Sequence, residues 1–80
     1  MSRAELFHRI AQADSAAARR HASELDLLER IELRNVEFEG HRNALAARGG
    51  EATPALWDGE RLHVGLEAVL AALETLARSG

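Results

Sequence analysis

The sequence predicts one small α/β domain in which a mixed sheet is flanked by helices. Three observations lead to this prediction. The chain has 80 residues, enough for one compact core and too few for two domains. Segments with the apolar pattern of strands alternate with segments typical of helices. A hairpin signal then precedes a strongly amphipathic last segment, so the predicted order is β-α-β-α-β-β-α.

The first half of the chain predicts a strand, a helix and a second strand. Residues 4–10 form a short, apolar segment and predict a strand, β1. Residues 14–26 are rich in helix formers and predict α1. Residues 29–34 alternate strictly, with Ile31 and Leu33 on one face, and predict a half-buried strand, β2.

A short second helix and a loop follow. Residues 41–48 are predicted as α2, which ends where Gly49-Gly50 can supply the left-handed conformation of a helix C-cap. Thr53-Pro54 lies in the next loop. Helices placed between strands favour a parallel pairing of β1 with β2.

The strongest local signal is a hairpin. Residues 55–57 and 61–64 are predicted as antiparallel strands β3 and β4, because Asp58-Gly59 between them supplies the positive φ of a tight turn. The last segment predicts an amphipathic helix, α3, since its apolar residues recur at helical spacing. These are Leu66, Val69, Leu70, Leu73, Leu76 and Ala77.

Composition excludes several classes of function. The net charge is −3 and the chain has no cysteine, which rules out thiol nucleophiles, disulfide exchange and thiolate metal sites. Basic residues are scattered singly except for Arg19-Arg20, so nucleic acid is not an expected partner. No apolar run approaches the roughly 20 residues of a membrane span, and no signal peptide is visible. We therefore expect a cytoplasmic protein that does not bind membranes.

Two stretches of sequence resemble a known superfamily. They are Glu5-Leu6-Phe7 and the run Thr53-Pro54-Ala55-Leu56-Trp57-Asp58-Gly59, which is followed by α3. With the loop into α1, they resemble glutaredoxins and the N-terminal domain of glutathione S-transferases, over nearly the whole chain. The resemblance implies that residues 1–80 form one thioredoxin-like domain. It also implies that Pro54 is cis and that the backbone before it pairs with the main chain of a bound thiol peptide.

The chain departs from these families at the reactive residues. In an ungapped comparison from β1, the first thiol or hydroxyl of the family motif falls on Gln12 and the second on Ser15. Neither is cysteine, so the resemblance implies a helix N-terminus that has lost its nucleophile. The protein is not expected to be a dithiol oxidoreductase, because that chemistry needs a mixed disulfide on an enzyme thiolate.

The glutathione-recognition residues of these families are also incomplete here. Val64-Gly65 stands where the transferases have an acidic residue and a serine. Gly65-Leu66-Glu67 is the nearest match to the glutaredoxin Gly-Gly turn with its acids, which leaves Glu67 as the candidate carboxylate. We expect no bound cofactor, and glutathione to bind weakly or not at all.

Several single residues have two readings. Ser15 could contact a ligand thiolate, or Asp14 or Ser15 could simply cap α1. Gln12 could donate to a ligand or be a solvated loop residue. Trp57 could stack on a ligand or cover the edge of the core, and we favour the core.

The four histidines do not form a local pair with metal-ligand spacing. His8 and His63 could still meet in space, but structural histidines are the preferred interpretation.

Three functions from different classes remain at this stage. The preferred one is a binding module whose groove holds a peptide, a partner protein or a small thiol without chemistry. The second is a glutathione-dependent enzyme in which Ser15 contacts the thiol, and the third is a structural or assembly protein that pairs through a helix face or an edge strand. The candidate groove consists of Gln12, Ser15, Thr53, Pro54, Gly65 and Glu67.

Overall fold

The computed structural model describes residues 3–79. Met1, Ser2 and Gly80, the ends of the predicted domain, lie outside the described residues. The elements follow the predicted order: β1 Ala4–His8, α1 Ala13–Glu24, β2 Ile31–Asn35, α2 Glu39–Ala47, β3 Ala55–Trp57, β4 Leu62–Val64 and α3 Leu66–Ser79. Among the described residues no helix is long and apolar enough to cross a membrane.

The four strands form one mixed sheet with the order β2-β1-β3-β4. As predicted, β1 and β2 are parallel, whereas β3 is antiparallel to both β1 and β4. This α/β arrangement with three helices is compatible with a thioredoxin-like fold. It places the ends of β1 and β2 and the start of β3 at one end of the sheet.

Each face of the sheet carries its own apolar cluster. Alternate strand residues such as Leu6 and Leu56 pack with α1 and α3 in the larger cluster. Phe7 and Ala55, one position along the same strands, pack with Leu45 of α2 in the smaller cluster. The alternation of a strand thus sends successive side chains to opposite layers of helices.

The ends of some elements differ from the prediction. β1 ends at His8 rather than residue 10, because the Arg9 N–H bonds to the Ser15 hydroxyl instead of a strand. β2 begins at Ile31, two residues late, because the N–H of Arg30 closes a turn onto the Leu27 carbonyl. Apolar periodicity cannot show such local backbone bonds.

Two turns follow the predicted chemistry. Gly49, with φ +88°, ends α2, and the N–H groups of Gly49 and Gly50 bond to the carbonyls of Ala46 and Leu45. These are the two bonds of a Schellman motif. In the hairpin Gly59 has φ +104°.

Two apolar side chains are less buried than their patterns predict. Leu33 is 41 % exposed although Ile31 is only 2 % exposed. Since β2 lies at the edge of the sheet, the far side of Leu33 has no neighbouring strand. Leu70 of α3 is half-buried, whereas Leu73 is completely buried.

Candidate functional site

The side chain of Gln12 joins three of the six candidate residues. Its Oε1 accepts a hydrogen bond from the Thr53 hydroxyl at 2.8 Å. The same oxygen accepts a short hydrogen bond from the Ser15 hydroxyl. Gln12 therefore ties the start of α1 to the loop before β3. Gln12 is partly buried and connects these two segments, so the alternative interpretation of a solvated loop residue is wrong.

Ser15 does not cap α1. The N-cap position belongs to Gln12, whose side chain makes no capping bond, and Ser15 lies three residues later. The Ser15 side chain is completely buried. Its oxygen accepts from the Arg9 N–H at 3.0 Å while its hydrogen goes to Gln12. In this arrangement the hydroxyl has no hydrogen left to donate to a ligand.

The Thr53-Pro54 peptide bond is cis, as the resemblance implied. Thr53 and Pro54 are both buried. The Pro54 carbonyl accepts from the Gly65 N–H at 3.0 Å, which joins this loop to the start of α3. Among the described residues, no hydrogen bond joins the backbone N–H or carbonyl of Thr53 to another group. A backbone N–H and a carbonyl without a partner can pair with an extended ligand that reaches them.

Gly65 and Glu67 lie beside this network, in an open groove of about 590 Å³. Gly65 has φ +96° and provides the carbonyl that accepts the Val69 N–H in the first turn of α3. The groove is lined by Asp14, Val64, Gly65, Leu66, Glu67 and Ala68.

Asp14 is a lining residue that the sequence reading considered only as a cap. Neither Asp14 nor Glu67 forms an ion pair with another described residue. Two carboxylates near helix N-termini can thus face a cationic group, such as an ammonium, in this groove.

Contacts of a half-buried arginine hold the loop that carries Gln12. Arg19 of α1 donates to the carbonyls of Arg9 and Ile10, and its Nη1 lies 3.0 Å from Nδ1 of His8. Arginine can only donate, so this Nδ1 carries no proton. Burial, followed by the charges of Arg19 and His41, lowers the pKa of His8 below 6.5.

The remaining histidines are held by separate partners, and His8 and His63 do not meet. His63 Nε2 lies 2.7 Å from an Asp58 carboxyl oxygen. The other Asp58 oxygen accepts the N–H groups of Glu60 and Arg61 in the hairpin loop. No group of three or more His, Asp or Glu within residues 3–79 could hold a metal ion.

A second polar cluster, which sequence reasoning missed, lies under α2. Glu5 is only 8 % exposed, and its two carboxyl oxygens lie 3.3 Å from Arg34 Nε and 3.2 Å from Arg48 Nη2. The Arg48 guanidinium also lies 4.2 Å from the centre of the Trp57 ring. Trp57 packs against the smaller apolar cluster, as predicted. The sequence marks Glu5 only as part of the stretch Glu5-Leu6-Phe7, because no local pattern indicates a long-range ion pair.

No family model matches the chain, and a search of curated proteins found no match.

Proposed function

We propose that this chain is a cysteine-free, thioredoxin-like binding module, related to glutaredoxins and the N-terminal domain of glutathione S-transferases. It holds an extended peptide, a segment of a partner protein or a small thiol, and performs no redox chemistry. A cytoplasmic location is part of this proposal. The order of the elements supports the relation to these families.

The contact between Gln12 and Thr53 carries the proposal. It joins the position where the families have a nucleophile to the residue before the cis-proline. An amide cannot form a mixed disulfide, and both hydrogen bonds to its oxygen come from within the chain. In this proposal Gln12, Ser15 and Thr53 therefore stabilise the geometry of the site without taking part in a reaction.

The backbone of Thr53 is the general part of the proposed site. A ligand in extended conformation can pair with the Thr53 N–H and carbonyl as an added strand would. Such pairing does not depend on the ligand's side chains. The groove at Asp14 and Glu67 gives a preference for a positive charge next to the paired segment.

Glutathione itself is a poor fit. It loses the thiol contact at Gln12, and its γ-glutamyl end meets Val64-Gly65 instead of an acidic residue and a serine. A lost charge-assisted hydrogen bond costs about 1.5–3 kcal/mol. Two losses of this size shift a micromolar site toward the millimolar range. The buried Ser15 hydroxyl, already committed to Gln12, argues against a glutathione-dependent enzyme.

Backbone amide shifts in solution test this proposal. The probes are glutathione and a capped tetrapeptide of alternating valine and threonine, extended with one lysine. We expect the peptide to shift the amides of Ser15, Thr53 and Glu67 and to saturate. The double variant Asp14→Asn with Glu67→Gln is expected to weaken peptide binding, whereas Glu60→Gln in the hairpin loop is the matched control.

Three results would contradict the proposal. If the peptide shifts amides elsewhere but not those of the Thr53 loop, the binding site does not lie at this loop. If a tag-free preparation turns over a glutathionylated substrate above the buffer rate, the protein performs redox chemistry and the proposal is wrong. Submillimolar, saturable glutathione shifts at the same three amides would favour the enzyme hypothesis instead.

A further inference from the structure

Strand β2 has no neighbouring strand on one side, where the Ile31 carbonyl accepts from the Arg3 guanidinium and the Asn35 carbonyl accepts from the Phe38 N–H. It is the outermost strand beside β1. The Val36 N–H donates to the His8 carbonyl, and the strands pair in the register His8 with Asn35. In a parallel ladder the backbone groups of alternate residues point to the partner. The N–H and carbonyl of Leu33 therefore point away from β1, to the open edge.

Three exposed apolar side chains lie in β2 or in the turns next to it in sequence. Leu33, at the centre of the strand, is 41 % exposed. Leu28 and Phe38 are 43 % and 65 % exposed and lie at equal distances in sequence before and after Leu33. A twofold axis through Leu33 would bring the start of β2 in one copy beside the end of β2 in a second copy.

The charges of β2 are complementary under the same symmetry. Glu32 and Arg34 share the face of the sheet opposite to Leu33, because side chains alternate. An antiparallel second copy centred on Leu33 sets Glu32 of each chain against Arg34 of the other. Directly opposed residues lie about 4.5–5.5 Å apart at Cβ, within reach of an ion pair. Glu32 is half-exposed and lies 3.6 Å from its own Arg34, whose guanidinium also contacts Glu5 and His41.

Neighbouring registers are disfavoured by the same residues. An antiparallel pair centred on Glu32 opposes two glutamates, and it also sets Arg34 against Arg30. A pair centred on Arg34 opposes two arginines. Like charges directly opposite each other are destabilising. The Leu33 centre is thus selected by charge as well as by the apolar contact.

We propose that the edge of β2 is a self-association surface on which a second copy of this chain pairs antiparallel about Leu33. The product is a continuous eight-stranded sheet with twofold symmetry. The paired strand has five residues, so the contact is smaller than the roughly 1,000 Å² expected of a stable complex. The association is therefore weak and depends on protein concentration.

Sedimentation velocity from about 10 μM to about 1 mM tests the proposal, since weak dimers form in this range. Glu32→Arg replaces two attractive pairs by two repulsive ones and is expected to raise the dimer dissociation constant about tenfold or more. Leu33→Pro removes an outward N–H that the ladder to β1 does not use, so it should abolish dimers and keep the fold. Glu60→Arg makes the same charge change in the hairpin loop and should leave the dimer intact.

The outcomes separate clearly. A wild-type dimer that Glu32→Arg and Leu33→Pro weaken and Glu60→Arg preserves supports the proposal, with circular dichroism showing that each variant is folded. A chain that stays monomeric to the highest concentration overturns it. A dimer insensitive to Glu32→Arg also overturns it. If Leu33→Pro unfolds, the Glu32→Arg comparison and slowed hydrogen exchange of the Leu33 amide at high concentration still decide the matter.

Discussion

The Thr53 hydroxyl donates a 2.8 Å hydrogen bond to the amide oxygen of Gln12, 41 residues away in the chain. Ser15 donates to the same oxygen, so one acceptor satisfies two hydroxyls that are shielded from water. The start of α1 and the cis-proline loop are held together by this oxygen.

Removing the Gln12 acceptor should destabilise the fold. Gln12→Ala leaves the Ser15 and Thr53 hydroxyls without it, and an unsatisfied buried polar group costs about 1–3 kcal/mol. We expect a loss of about 2 kcal/mol in the free energy of unfolding, measured by urea denaturation. Gln12→Glu keeps an acceptor and adds a negative charge at a helix N-terminus, which stabilises by about 0.3–1 kcal/mol.

The ranking of the two variants is the decisive result. Gln12→Glu should be at least as stable as the wild type and clearly more stable than Gln12→Ala. Equal stability of all three proteins would show that the bridge contributes nothing to the fold.

The pattern of side chains predicted the elements because each one has a local cause. Asp58-Gly59 marked the hairpin, Gly49 marked the end of α2, and the apolar stripe marked α3. The parallel pairing of β1 with β2 followed from the helix between them. Burial was less predictable: the pattern of β2 does not say that the strand lies at an edge, so Leu33 was expected inside.

The site was predictable as a set of positions but not as a set of contacts. The resemblance placed Gln12, Ser15 and Thr53 near one another, and the structure joins them by hydrogen bonds. The role of Ser15 depended on where α1 begins. Because the N-cap position is Gln12, Ser15 lies inside the first turn, and its buried hydroxyl bonds to Gln12 instead of capping the helix. Asp14 joins the groove only through the packing of α1 near α3.

The α3 face gives a graded test of core packing. Leu73 is completely buried, so Leu73→Ala should cost about 2–5 kcal/mol. Leu70 is half-buried, and Leu70→Ala should cost less, about 1 kcal/mol, because part of its surface already meets water. Denaturant unfolding of the two variants measures the difference. Equal losses would mean that α3 is rotated from its described position.

Stability should fall as the pH falls through 6.5. Burial and the charge of Arg19 lower the pKa of His8 in the folded chain, whereas the unfolded chain keeps a value near 6.5. Below that pH the unfolded chain binds a proton that the folded chain does not, so protonation favours unfolding. The variant His8→Asn places an amide oxygen near the position of Nδ1, where Arg19 can still donate to it, but its side chain does not titrate.

The free energy of unfolding at pH 7.5, 6.5 and 5.5 checks this prediction. We expect the wild type to lose more stability over this range than His8→Asn does. His21→Asn, at the partly exposed contact with Glu74, is the control and should retain the contribution of His8. A slope that is the same in wild type and His8→Asn would contradict the assignment.

A cysteine placed at Gln12 should have a lowered thiol pKa. Position 12 is the N-cap of α1, where unpaired N–H groups and the positive end of the helix dipole stabilise a thiolate. The hydroxyls of Ser15 and Thr53, which now donate to Gln12, can donate to the thiolate instead. Gln12→Cys should therefore titrate below about 8.5, the value of a free thiol.

Ser23→Cys supplies the matched control within the same helix. Ser23 is exposed in the last turn of α1, near the negative end of the dipole, where a thiolate gains no such stabilisation. The rate of alkylation by iodoacetamide as a function of pH gives both thiol pKa values. Gln12→Cys should reach its plateau at lower pH than Ser23→Cys, because only position 12 combines a helix N-terminus with two hydroxyl donors. If the two thiols titrate together, the start of α1 does not have the electrostatics of a thiolate site.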